Sequence, residues 1–169
     1  MEKQLLLKQL YKLLMNKIIS IFPTLFGIGY SPIAPGTIGS IFSIVLLYFL
    51  IKSVSYSFLV IIFIIIFITS LKLIEKYSNL LKSHDSATIV IDEFLGIFLI
   101  ILFYDYLKFA NDFIMFLLIL ILFRFFDILK IFPINWVDKN IKNSLGVVLD
   151  DLLAGVYSII ILYSINVFI

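Results

Sequence analysis

The 169-residue chain has no cysteine and a single histidine, His84. The first absence excludes disulfides, thiolate metal sites and cysteine nucleophiles together. The second excludes a zinc centre built on several imidazoles, and any phosphatase chemistry that needs two histidines. Charge is also scarce: 14% of residues are Asp, Glu, Lys or Arg, whereas 63% are hydrophobic. Mean hydropathy is +1.18. These values exclude an ordinary soluble domain and indicate an integral membrane protein with room for one domain of a few helices. The formal net charge of +2, from 13 bases and 11 acids, says little until the charges are placed.

Residues 2–22 interleave Lys3, Lys8, Lys12 and Lys17 with leucines and isoleucines, and Gln4, Lys8, Lys12 and Asn16 fall four apart. This pattern lacks the uninterrupted apolar core of a signal peptide and predicts a basic amphipathic helix, residues 1–22, on an anionic lipid surface. The other reading is a solvated helix packed on the rest of the protein. Residues 23–169 then form one membrane-embedded domain. Glycine and proline are few, seven and four, and they are concentrated: residues 23–40 hold four of the glycines and three of the prolines.

Apolar runs at 38–51, 56–74, 89–107, 113–132 and 149–169 follow. The first is short against the roughly 20 residues a span requires, so it is tilted, extended or re-entrant. The expectation is an all-α integral membrane protein with about four to five membrane-embedded helices plus the surface helix. With five spans, ten lysines fall on one side and only Lys52 and Lys108 on the other. The positive-inside rule puts the lysine-rich side in the cytoplasm.

Ionisable residues interrupt the ends of these runs. Asp92 and Glu93 open one, Arg124, Asp127 and Lys130 close the next, and Asp150 and Asp151 open the last. Such residues cost about 2.5–3.5 kcal/mol each at a helix centre on insertion scales, so they indicate function by default. All but Arg124, which lies within a span, are placed on the lysine-rich side. Carboxylates from three helices suit Mg²⁺, which binds one or two carboxylates plus waters and a substrate phosphate. Single acids at helix starts can instead be caps favouring the helix dipole. Arg124, Asp127 and Lys130 share a helix face at spacings of three. They form either a self-neutralising ion pair or, through Arg124 and Lys130, a phosphate grip. Gly36, Thr37 and Ser40 start an apolar helix whose free amides and hydroxyls can face an anion, although a plain capping turn explains them equally. The loop is not a P-loop, because the Gly-Lys-Ser/Thr ending is missing. His84 and Asp85, eight and seven residues before Asp92, are placed for substrate contact or proton donation.

Four ordered segments carry a resemblance. They are Gly29-Tyr30-Ser31-Pro32 with Pro35-Gly36-Thr37-Ile38-Gly39-Ser40; His84-Asp85, Ile89-Val90, Asp92-Glu93-Phe94 and Gly96; Phe123-Arg124, Asp127, Lys130, Pro133-Ile134 and Asp138; and Gly146, Asp150-Asp151 and Ala154-Gly155. From Gly27 to Gly155 the chain resembles the phosphatidylglycerophosphatase A family. It departs at Ile131, where the family usually has proline, and at Asn143-Ser144, where a glycine pair is usual; both changes bear on loop shape. The resemblance implies Mg²⁺-dependent hydrolysis of phosphatidylglycerophosphate to phosphatidylglycerol at the cytoplasmic leaflet of the bacterial inner membrane. It implies Asp92, Glu93, Asp127, Asp150 and Asp151 as metal-binding or water-activating groups. The partners implied are the lipid substrate and the bilayer, with no nucleic acid. Two alternatives stay open from the residues: a cation or proton transporter, which would place acids in mid-span on inverted repeats, and a phosphatase of another lipid phosphate such as phosphatidic acid.

Overall fold

The computed structural model describes residues 14–83, 86–107 and 111–168. These are helical or in short connections, with no strand among them. Residues 14–21 form α1; residues 1–13 of the predicted surface helix lie outside the described residues. A 3₁₀ turn, Ile28–Tyr30, follows, then α2 (Pro35–Ser53), α3 (Tyr56–Leu81), α4 (Ile91–Leu102), α5 (Tyr104–Leu107), α6 (Asp112–Leu129), α7 (Ile134–Asn140) and α8 (Ser144–Phe168).

Helices α2, α3 and α8, with 19, 26 and 25 residues, are long and apolar enough to cross a membrane. At 1.5 Å per residue α2 extends about 28 Å, so the first run is long enough to span once its start at Pro35 is counted. Helix α6, 18 residues, carries Asp112, Arg124 and Asp127. The third run does not continue as one span. Helix α4 has 12 residues, about 18 Å, and stops at Phe103, whose N–H turns back to the carbonyl of Ile100. Eleven of its twelve residues are buried. The run is apolar on all sides because protein surrounds it: α8 packs against it most extensively, then α2 and α3.

Small residues let α4 approach α8. A Cβ on Gly155 would lie 2.8 Å from the Gly96 carbonyl oxygen, and one on Gly96 would lie 2.8 Å from the Asp151 carbonyl oxygen. Either side chain would force the backbones apart. Three buried hydroxyls are satisfied within their own helices: Ser40, Ser43 and Ser158 donate to the carbonyls of Gly36, Gly39 and Ala154. Outward faces are apolar stripes at helical spacing. Ile38, Ile41, Val45 and Phe49 on α2, and Ile114, Leu117, Ile121, Phe125 and Ile128 on α6, are exposed. Contiguous apolar surface on this scale is foreign to a water-soluble monomer and fits lipid contact.

Candidate active site

Four helices deliver side chains to one cavity of about 260 Å³. Gly36 comes from the first turn of α2 and Asp92 and Glu93 from the first turn of α4. Arg124 and Asp127 come from the end of α6, with Lys130 just beyond it. Asp150 and Asp151 come from α8. All eight line the cavity, with Ala34, Pro35, Ser86 and Ile89 among the residues around them.

Local conformation sets several of these positions. Lys130 ends α6 in the left-handed region, φ +45°, and its N–H donates to the Phe126 carbonyl. Ala34, before α2, is also left-handed at φ +43°. Non-glycine residues seldom adopt this conformation, at a cost of order 1–3 kcal/mol, and it clusters at functional sites. The acid pair on α8 sits differently from its predicted place. The helix begins at Ser144, so Asp150 and Asp151 lie in its second turn. The dipole effect fades within the first turn, so capping no longer explains them.

One oxygen each from Asp92, Glu93 and Asp151 lies within 4.8 Å of the others. All three residues are buried. Carboxylates crowded in a low-dielectric site repel strongly and need cations. Protein cations meet part of this need. Arg124 Nη1 is 2.6 Å from Asp127 Oδ2 and 3.6 Å from Glu93 Oε1. Lys130 Nζ donates to Asp138 Oδ1 at 2.7 Å and to Asp150 Oδ2 at 3.0 Å. Burial pulls the Lys130 ammonium down, but Asp138 and Asp150 outweigh it and hold this group above the ordinary lysine range.

The pairing is incomplete. Five carboxyl groups and two cations line the cavity. Glu93 Oε2 is buried with no hydrogen-bond partner among the described residues. Arg124 Nε and Nη1 are likewise without one, the short Nη1 contact to Asp127 being a charge contact outside hydrogen-bond geometry. Orphaned polar atoms are costly to bury and mark a place where a ligand completes the set. The donors here are hard oxygens, without sulfur or imidazole, which suits a hard divalent cation next to two anion-binding side chains.

Gly36 bounds the other side. A Cβ there would sit 2.3 Å from Glu93 Oε1 and 2.9 Å from Arg124 Nη1. The first-turn amides of α2 have no acceptor within the helix. Thr37 and Ser40, proposed with Gly36 from the sequence, are not among the cavity's lining residues, and the Ser40 hydroxyl is taken by the Gly36 carbonyl. His84 and Asp85 lie outside the described residues. Asp138, the partner of Lys130, carried no site assignment from the sequence. Its place eight residues past Lys130, in the third shared segment, was the available signal.

The Phosphatidylglycerophosphatase A family model matches residues 21–166. Phosphatidylglycerophosphatase A of Haemophilus influenzae is 34% identical over 141 residues, 83% of this chain and 84% of that protein. The Escherichia coli protein of the same name is 34% identical over 143 residues, 83% of this chain and 79% of that protein. A Bacteroides thetaiotaomicron protein named putative phosphatidylinositol-3-phosphatase is 31% identical over 147 residues, 81% of this chain and 86% of that protein. No solved structure matches the chain. The acids, bases and glycine gathered in the cavity all fall within the matched residues, and the chain belongs to the phosphatidylglycerophosphatase A family of phosphoric monoester hydrolases.

Proposed function

We propose that this protein hydrolyses the terminal phosphomonoester of phosphatidylglycerophosphate to phosphatidylglycerol and inorganic phosphate, as a step of phospholipid synthesis. The reaction takes place at the cytoplasmic leaflet of a bacterial inner membrane and depends on Mg²⁺. The observation that carries the proposal is the meeting of Asp92, Glu93 and Asp151 oxygens within 4.8 Å, beside two cations in one cavity.

Asp92, Glu93 and Asp151 would hold Mg²⁺, with Asp127 and Asp150 completing the acidic wall. When bound, Mg²⁺ supplies charge neutralisation at phosphate oxygens and a water of lowered pKa. Arg124 presents a planar fork to the phosphate, and its unpaired donors give it capacity for that contact. Lys130 offers its third N–H, two being committed to Asp138 and Asp150. The free amides at the start of α2 add fixed dipoles near Gly36. Water oxygen joins phosphorus, the bond from phosphorus to the glycerol oxygen breaks, and the departing alkoxide takes a proton. His84 or Asp85 is assigned as its donor. The acyl chains stay in the bilayer, so the cavity need admit only the head group.

The name of the Bacteroides relative favours a second reading, in which the same chemistry acts on another lipid phosphomonoester. Phosphate release by the purified protein from phosphatidylglycerophosphate, phosphatidic acid and phosphatidylinositol 3-phosphate tests both. The first reading predicts the largest kcat/KM on phosphatidylglycerophosphate. A larger value on either competitor moves the assignment to that lipid, and no release from any of the three removes the hydrolase reading.

A further inference from the structure

Helix α3 contributes no residue to the cavity lining, yet it reaches the cavity through hydroxyl groups. Tyr77, with its ring buried in the core, lies 3.0 Å from Thr88 Oγ1 and 3.3 Å from the Tyr30 hydroxyl. Thr88 Oγ1 in turn lies 3.0 Å from Ser86 Oγ, and Ser86 lines the cavity. The Ser86–Val90 segment leads straight into α4 and therefore sets where Asp92 and Glu93 stand.

This segment has no regular structure, so its place depends on neighbours. The Pro23 carbonyl accepts the N–H groups of Val90 and Ile91 at 3.0 and 3.2 Å. Gly29 abuts it so closely that a Cβ there would sit 2.0 Å from the Thr88 carbonyl oxygen. A Cβ on Gly39 would sit 3.0 Å from Val90 Cβ. The loop before α2 and α2 itself thus fix the segment through backbone and apolar contacts. Tyr77, its ring packed in the core, supplies a directional, partly buried side-chain bond from α3.

We infer that Tyr77 is a positioning residue for the phosphatase, acting through Thr88 and Ser86 to hold the entry to α4 and its acid pair. The inference rests on the proposed phosphatase reading. It assigns Tyr77 no contact with substrate.

The test uses the full-length protein in detergent and the variants Tyr77→Phe, Thr88→Val, Thr88→Ser and the double variant Tyr77→Phe/Thr88→Val. Tyr77→Phe is expected to lower kcat about tenfold through displaced acids while KM stays within about twofold. Thr88→Val, which also loses the Ser86 contact, should be at least as slow, Thr88→Ser should restore most of the rate, and the double variant should be no worse than Thr88→Val, because the Tyr77–Thr88 bond is lost in all three. Full kcat in Tyr77→Phe, or losses that multiply in the double variant, would overturn the inference. If Tyr77→Phe fails to fold, the Thr88→Val and Thr88→Ser pair reads the same bond from its other end. Amide hydrogen exchange separates this inference from the phosphatase reading. Faster exchange confined to Ser86–Ile91 in Tyr77→Phe supports the tether even in a protein that releases no phosphate, and unchanged exchange there rejects it.

Discussion

At the residue scale the site is a balance of charge in little space. Gly36 shows how little: a methyl group would fall 2.3 Å from Glu93 Oε1 and 2.9 Å from Arg124 Nη1. Gly36→Ala should therefore displace both and lower kcat/KM by about a hundredfold, near 3 kcal/mol of transition-state stabilisation. The unfolding midpoint in detergent should move little, since the change is at the cavity wall. Lys130 is bound by Asp138 and Asp150 at once. Asp138→Ala should leave it held by Asp150 alone and lower kcat/KM about tenfold, while Asp138→Asn, which keeps an acceptor, should lose less. Steady-state kinetics on the three variants checks both expectations. The seven charged residues of the cavity were legible in the sequence because membrane depth makes charge expensive. Asp138 was not, because it lies on short α7, in a polar stretch between apolar runs where acids are ordinary. Nor could spacing show that Ser40 would spend its hydroxyl on its own helix.

At the scale of elements, the close crossing of α4 and α8 holds Asp92 and Glu93 against Asp151. Gly155→Leu should force the crossing open and destabilise the protein by about 1–3 kcal/mol, seen as a lower unfolding midpoint in detergent, with loss of phosphate release. Val156→Leu, on the exposed neighbouring position, should stay within about 0.5 kcal/mol of the parent. The helices of this bundle were legible in the apolar runs, but their ends were not. Hydropathy reports burial and is blind to hydrogen-bond continuity. It therefore ran through the break at Phe103, started α8 at residue 149 instead of Ser144, and passed over α7 as a polar loop. The late start mattered most, since it made Asp150 and Asp151 look like capping residues.

At the scale of the molecule, the acids and bases gathered in the cavity come from the helix ends that the sequence puts on the lysine-rich side. Ten lysines against two predict that this end faces the cytoplasm. The absence of cysteine makes the test simple. In intact cells Lys52→Cys should react with a membrane-impermeant maleimide and Lys139→Cys should not; the reverse pattern would invert the topology. What the sequence could not display was the closure of this end into one cavity, which depends on α4 being short, central and wrapped by α2, α3 and α8. The proposed phosphatase centre joins the acids of three helices and depends on Mg²⁺. Phosphate release from phosphatidylglycerophosphate tests it most directly, measured across a Mg²⁺ titration for the parent protein, Asp92→Asn and Asp151→Asn. The parent should release phosphate only with the metal, and both variants should lose about a hundredfold or more. Equal release in excess chelator, or full activity in either variant, would contradict this proposal.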